Sequence, residues 1–242
     1  MTRSRTLFCG FTVTELLVSL SVISILSGLL FPGLCRAKAQ SRSVSCKNNL
    51  RQIGLALTMY VGDFGHYLTE GEWMKTAGQW YADRKFTPYT ANNRAVFLCP
   101  THKPTGGKKA DPNRFDPLSY GYNSFGSESW RRQNLGLGGS KSHPVSVSQV
   151  KAPTEMIAFG DSGTDTAFDL LLNPNQKLLD IGADNLSTLN SWLPSKRHRG
   201  GANILLCDGH VEYAAQERWI ERSIEGRRRW NNDNEPHPET WW

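Results

Sequence analysis

Two hydrophobic patterns follow one another in the first quarter of the chain. From Phe11 to Leu34 the sequence reads FTVTELLVSLSVISILSGLLFPGL, with Glu15 as its single charge. As a helix this run extends about 36 Å, enough to cross a hydrocarbon core of about 30 Å. Thr12, Thr14, Ser19, Ser21, Ser24 and Ser27 interrupt it. Their hydroxyls can bond back to helix carbonyls, so they do not oppose a membrane span. Gly28, Pro32 and Gly33 predict a kink or a locally melted stretch, because Pro32 removes the hydrogen bond to the carbonyl of Gly28. The pattern then changes. Cys46, Leu50, Ile53, Leu57 and Tyr60 recur at spacings of 4, 3, 4 and 3, which is one face of an amphipathic helix. Arg42, Lys47, Asn49, Arg51 and Gln52 fall mostly off that face. The helix is expected to end near Val61, where Gly62-Asp63-Phe64-Gly65 supplies turn chemistry.

Beyond that helix the signals are short. Ala95–Cys99 before Pro100, and Met156–Phe159 before Gly160, read as strands. So do Asn203–Cys207 and His210–Tyr213. Asp208-Gly209 between the last two predicts a two-residue hairpin of type I′, with positive φ at both central positions. Residues 101–117 and 131–147, rich in Gly, Pro, Lys and Ser, read as loops. The sum is an α+β protein: a long N-terminal helix packed on a mainly antiparallel sheet.

Composition adds limits. Hydrophobic residues make up 38% and charged residues 21% of the 242. The formal charge of +6 includes Arg3 and Arg5 and the run Arg227–Arg229. So modest and local an excess is weak evidence for any partner, and nucleic acid is not expected. None of the five cysteines stands in a CxxC pair, which removes the usual metal and redox motifs. Cys46 and Cys99 are candidates for a disulfide. Cys207, in an apolar strand pattern, reads as a buried free thiol. Gly106-Gly107-Lys108-Lys109 lacks phosphate-loop spacing, and Asp161-Ser162-Gly163 lacks the EF-hand order.

Glu15 decides among the readings of the N-terminus. A secretory signal has an h-region of about 7–15 residues, shorter than this run, although Ala37-Lys38-Ala39 offers a cleavage-like site. A lipoprotein signal ending at Cys35 is opposed by the bulky Leu34. A plain anchor leaves Glu15 unexplained, and a carboxylate in a spanning helix costs about 2.5–3.5 kcal/mol on insertion scales. A cut between Gly10 and Phe11 would create an α-amine four residues away, able to pair with Glu15 of a neighbouring copy.

The segment Cys9-Gly10-Phe11-Thr12-Val13-Thr14-Glu15 followed by an apolar run resembles the class III signal of type IV prepilins and type II secretion pseudopilins. The resemblance implies a leader at 1–10, cut after Gly10 by a prepilin peptidase that also methylates Phe11. It implies that Glu15 is the assembly carboxylate and that Pro32 lies at a familiar helix position. It further implies a transmembrane helix at 11–34, an amphipathic continuation at 35–61 and a β-rich head at 62–242. Its partners would be other pilin or pseudopilin subunits, the peptidase and membrane lipid. Its place would be the inner membrane, single-pass, with the head outside the cytoplasm or in a periplasmic or surface filament. Flanking basic residues point the other way: Arg36, Lys38, Arg42, Lys47 and Arg51 outnumber Arg3 and Arg5.

A second resemblance lies near the C-terminus. His198 precedes Asp208-Gly209 by ten residues, and this H-x9-DG spacing resembles a signature of bacterial prepilin-type proteins. The tail Arg227–Trp242 is similar to some of them. His198, Asp208 and His210, joined by Asp161, are candidate ligands for a divalent metal. The competing reading is a hydrogen bond from His198 to the hairpin turn, and it is preferred because Asp-Gly is itself turn chemistry. Trp219, Trp230, Trp241 and Trp242 with Arg227–Arg229 suit either a contact surface or a cap on the core. Ser195 near His198 has no acid or oxyanion hole assigned, so no catalytic residue and no enzymatic activity are expected. The expected function is that of a structural filament subunit without a cofactor. Its rival is a membrane-tethered, non-polymerising module that binds a ligand or metal.

Overall fold

The computed structural model describes residues 12–76, 85–101, 119–127, 135–163, 171–175 and 192–241. The expected leader, residues 1–10, and Phe11 lie outside these residues. The chain divides into two compact units, Met1–Ser41 and Arg42–Trp242.

Helix α1 runs from Val13 to Phe64. It is continuous through Gly28 and Pro32, so the locally melted alternative does not form. Ser19, Ser21 and Ser24 donate to the carbonyls four residues back at 2.8, 2.8 and 2.7 Å, as expected for hydroxyls in an apolar helix. Every described residue of the first unit is exposed. The helix is long and apolar enough to cross a membrane, and its apolar window buries nothing within the protein.

In the second unit the expected stripe is the buried one. Cys46, Leu50, Ile53, Leu57 and Tyr60 are all buried, with Gly54 and Ala56 beside them. A Cβ on Gly54 would stand 2.8 Å from Cδ1 of Leu205, so glycine lets the helix approach the sheet closely. The helix stops at Gly65, whose φ of 72° is left-handed and whose N–H donates to the carbonyl of Val61 at 2.8 Å.

Four strands form the sheet: β1 Tyr120–Tyr122, β2 Ile157–Asp161, β3 Gly201–Leu206 and β4 Val211–Ala215. They lie in the order β1-β2-β3-β4, each antiparallel to its neighbour. The α+β arrangement of a long apolar helix and an antiparallel sheet is therefore the observed one. The helix stripe joins Leu205 and an aromatic group centred on Trp73 of α2 (Glu70–Thr76). Phe159 lies 4.9 Å from Trp73 and 4.8 Å from Tyr122 between ring centroids. A second cluster holds Ile157, Leu172, Ala202, Ile204 and Leu206 with Trp219 and Trp230.

A bulge in β2 governs which side chains face α1. Ile157 pairs with Leu206 but Phe159 pairs with Leu205, so the register slips by one residue. Facing alternates along a strand, so the slip moves Phe159 and Asp161 to the face of Leu205. That is the face against α1.

Two expectations need correction, and one open choice is narrowed. Ala95–Cys99 is not a strand: Arg94–Phe97 forms a 3-10 helix, capped where the side chain of Asn93 accepts from the N–H of Ala95 at 3.1 Å. So short an apolar run fits either period, and the local cap decides. The turn at Asp208-Gly209 is not type I′. Only Gly209 has positive φ, 94°, and its N–H donates to the carbonyl of Leu206 at 3.0 Å. The turn is centred on Cys207-Asp208 with Gly209 left-handed after it, the three-residue form of the hairpin. The basic run of the tail is engaged within the head. Arg227 is 1% exposed and donates to the carbonyls of Glu221 and Ile220 and to Asn175, while Arg228 and Arg229 pair with Glu155 and Glu212. Trp219 and Trp230 are core residues; Trp241 is half-buried and Trp242 lies outside the described residues.

Of the expected loops, 102–118 and 128–134 lie outside the described residues. Residues 135–146 carry a single bridge, His66 with Ser146.

Candidate functional site

The two ends of the second constellation do not meet. His198 stands just before β3, and Asp208 lies in the turn after it. Six strand residues rise about 20 Å, so the strand that fixes the H-x9-DG spacing also holds its two ends apart. The hydrogen bond expected from His198 to the hairpin turn is not made.

Asp208 bonds His210 instead, with Nδ1 at 2.8 Å, and the Nε2 of His210 lies 3.2 Å from Glu212. Glu212 in turn accepts from Arg229 at 2.7 Å. The hydrogen bond to Asp208 raises the imidazole of His210 above its ordinary value, burial opposes it slightly, and Glu212 adds to the rise. A raised folded value stabilises the protein below the unfolded value of about 6.5 and stops doing so as pH climbs through the folded one. His210→Ala should therefore lower the melting temperature more at pH 5.5 than at pH 8.5. The effect is small, because an exposed network is solvent-screened. Parallel thermal melts of the two proteins test it, and a gap that widens toward high pH would contradict it.

Asp161 and His198 do come together, with two partners from elsewhere. Cys46 projects from α1, Cys99 follows the Arg94–Phe97 turn, Asp161 ends β2 and His198 precedes β3. Their ligand atoms all lie within 4.8 Å of one another, and all four residues are buried. The thiol of Cys46 donates to Oδ1 of Asp161 at 2.8 Å. Nε2 of His198 is 3.4 Å from Oδ2 of Asp161 and 3.4 Å from Sγ of Cys99. Cys46 and Cys99 are adjacent, as the disulfide expectation required, but both are free thiols. Cys207 is also free and half-buried.

Local structure explains each placement. Cys46 opens the buried stripe one turn before Leu50. The bulge in β2 turns Asp161 toward it. Asn203 of β3 holds the carboxylate, donating to Oδ2 from its backbone N–H at 2.7 Å and its side-chain amide at 2.9 Å. His198 is fixed by an exchange of backbone hydrogen bonds with Gly201 and by the phenol of Tyr213, which donates to its carbonyl at 2.6 Å. The hydroxyl of Tyr120 donates to Sγ of Cys46 at 3.2 Å, and Thr101 lies 2.9 Å from Sγ of Cys99.

The electrostatics divide the two thiols. Burial pushes the Cys46 thiol up, reinforced by Cys99 and Asp161. The neighbouring Cys46 thiol brings Cys99 down to about 5 against the cost of its burial, with help from His198. Burial depresses His198, but Asp161 and Cys99 outweigh it and raise the imidazole to about 9. Cys99 is thus the more acidic of the two thiols, and its Sγ lies beside the imidazole of His198.

This is not a nucleophile triad. A triad uses one imidazole nitrogen for the nucleophile and the other for the acid. Here Nε2 faces both Cys99 and Asp161. Sequence reasoning named all four residues but split them between a disulfide and a histidine-aspartate set. The unused signal was Cys46 itself, a sulfur at the polar end of an otherwise apolar stripe.

In the first unit, Glu15 has a local role that sequence reasoning missed. Its carboxylate accepts from the N–H of Thr12 at 2.9 Å and from the Thr12 hydroxyl at 2.7 Å, and that hydroxyl accepts from the N–H of Glu15 at 3.3 Å. Thr-x-x-Glu is a capping box, legible in the sequence.

A protein-family model matches residues 36–83, and its description reads "Protein of unknown function (DUF1559)". The match takes in the amphipathic part of α1 and Cys46. No curated protein and no solved structure matches the chain.

Proposed function

We propose that this chain is a structural subunit of a type II secretion or type IV pilus-like filament, held in the inner membrane by the first part of α1 and assembled through it. The head would lie outside the cytoplasm, and the subunit would have no enzymatic activity. The observation that carries this reading is the run Val13–Leu34: apolar, spanning length, and exposed at every residue. Such a surface needs lipid or copies of itself around it. The resemblance of Gly10-Phe11-Thr12-Val13-Thr14-Glu15 to a prepilin signal supports the finer reading: a cut after Gly10, methylation of Phe11, and Glu15 as assembly carboxylate. The matched family's description names no function, so it adds only the stem region as a shared element.

N-terminal mass spectrometry of the protein recovered from its native membrane tests this directly. The expected terminus is N-methylated Phe11, and Gly10→Val is expected to leave the chain ten residues longer. A native protein that retains Met1, or begins beyond Ala39, would overturn the reading.

The cysteine-histidine-aspartate cluster favours one rival, a tethered metal-binding module that does not polymerise. Cysteines placed along 16–30 separate the two. Crosslinking between copies supports assembly, and its absence at every position supports the tethered module.

A further inference from the structure

We propose that Cys46, Cys99, Asp161 and His198 form a tetrahedral zinc site that pins the second unit together. Two sulfurs, one imidazole nitrogen and one carboxylate oxygen are a donor set that zinc accepts, and four protein ligands close the shell as structural sites do. The geometry agrees. Bonds of about 2.0–2.3 Å place the ligands of a tetrahedron about 3.3–3.8 Å apart. The contacts of His198 Nε2 to Oδ2 of Asp161 and to Sγ of Cys99 are both 3.4 Å and already have that spacing, and the set of four lies within 4.8 Å, so binding draws the ligands together by about 1 Å at most. The 2.8 Å contact of Cys46 is to the other carboxylate oxygen, Oδ1, and is a thiol hydrogen bond that deprotonation removes.

The surroundings are those of a built site. Asn203 orients the carboxylate with two donors, Tyr120 donates to Cys46, and Thr101 contacts Cys99. Partners of this kind fix the ligands of metal centres. Uptake releases two protons, the one on Cys46 and the one held by the Cys99–His198 pair, leaving two thiolates, a carboxylate and a neutral imidazole on the ion. No electron transfer is involved.

The site would tie α1 to the segment after Phe97, the end of β2 and the start of β3. These are far apart in sequence, and closing such long loops restricts the unfolded chain most. The competing fate is oxidation of Cys46 and Cys99 to a disulfide, which would remove both thiolates.

The test is metal analysis of the full chain, purified in detergent without chelator or reductant, incubated with zinc and desalted. One zinc per chain is expected. Cys46→Ser, Cys99→Ser and His198→Ala should each lose it, whereas Cys207→Ser should keep it. Stripping the wild type with a chelator should lower its melting temperature, and added zinc should restore it. Cobalt in place of zinc should give thiolate-to-metal charge-transfer absorption. A wild type that holds no zinc overturns the proposal without recourse to any variant. So does a Cys46–Cys99 disulfide in non-reducing peptide mapping of protein from native membranes. Zinc retained by the Cys99→Ser chain would overturn the ligand assignment.

Discussion

Glu15→Ala is expected to leave the protein in the membrane and to abolish filament assembly, while Glu15→Gln should separate two roles of that side chain. The carboxylate caps α1 through Thr12. Losing a cap costs about 0.5–2 kcal/mol, and a glutamine at this position preserves the capping box. If the cap were the whole role, Gln would assemble normally and Ala would be only mildly weakened. In the proposed filament Glu15 also neutralises the α-amine of Phe11 on a neighbouring copy. Removing one partner of a buried pair costs about 3–5 kcal/mol, because the other charge is left unpaired in apolar surroundings. A loss of that size at each subunit contact is a factor of about 100 or more in each association step. Both variants should therefore fail to assemble. Insertion should not suffer, since a carboxylate in the span is itself unfavourable. Electron microscopy of sheared filaments, with membrane fractionation beside it, reads both outcomes. Normal filaments from Glu15→Gln would leave the cap as the residue's role.

The largest effect on stability is expected at Trp73. Its ring is fully buried, with centroids 4.9 Å from Phe159, 5.9 Å from Tyr122, 6.0 Å from Phe97 and 6.4 Å from Phe86. These neighbours come from four separate segments, so the space left by alanine cannot close by moving one of them. Trp73→Ala should cost about 3–5 kcal/mol, the upper range for a buried aromatic. For a unit of this size that lowers the melting temperature by roughly 10 °C. Near-ultraviolet circular dichroism of the full chain in detergent measures it, with Val147→Ala, at an exposed position, as the control expected to stay within about 0.5 kcal/mol. A Trp73→Ala loss below about 1 kcal/mol would mean that the aromatic group is not the centre of the core.

The described tryptophans and the basic run show what a linear pattern leaves open. Trp219 and Arg227–Arg229 read equally well as a lipid-facing patch or a capped core. Only the fold supplies the acceptors, three for Arg227 alone, that bury Arg227 and pair Arg228 and Arg229 with carboxylates.

The sequence by itself determined what depends on neighbours in the chain. Period and length gave the long apolar helix and its amphipathic continuation, since a helix places residues three and four apart on one face whatever surrounds it. Asp208-Gly209 located the hairpin, because few residues accept the left-handed turn conformation. Tertiary structure decided what depends on residues far apart. A one-residue bulge in β2 chose the face of Asp161. The span of β3 kept His198 from Asp208 and delivered it to two sulfurs. Packing of α1 on the sheet set Cys46 beside Cys99. Each of these is a contact between distant segments, and its energy comes from burial shared by both, which no local pattern encodes.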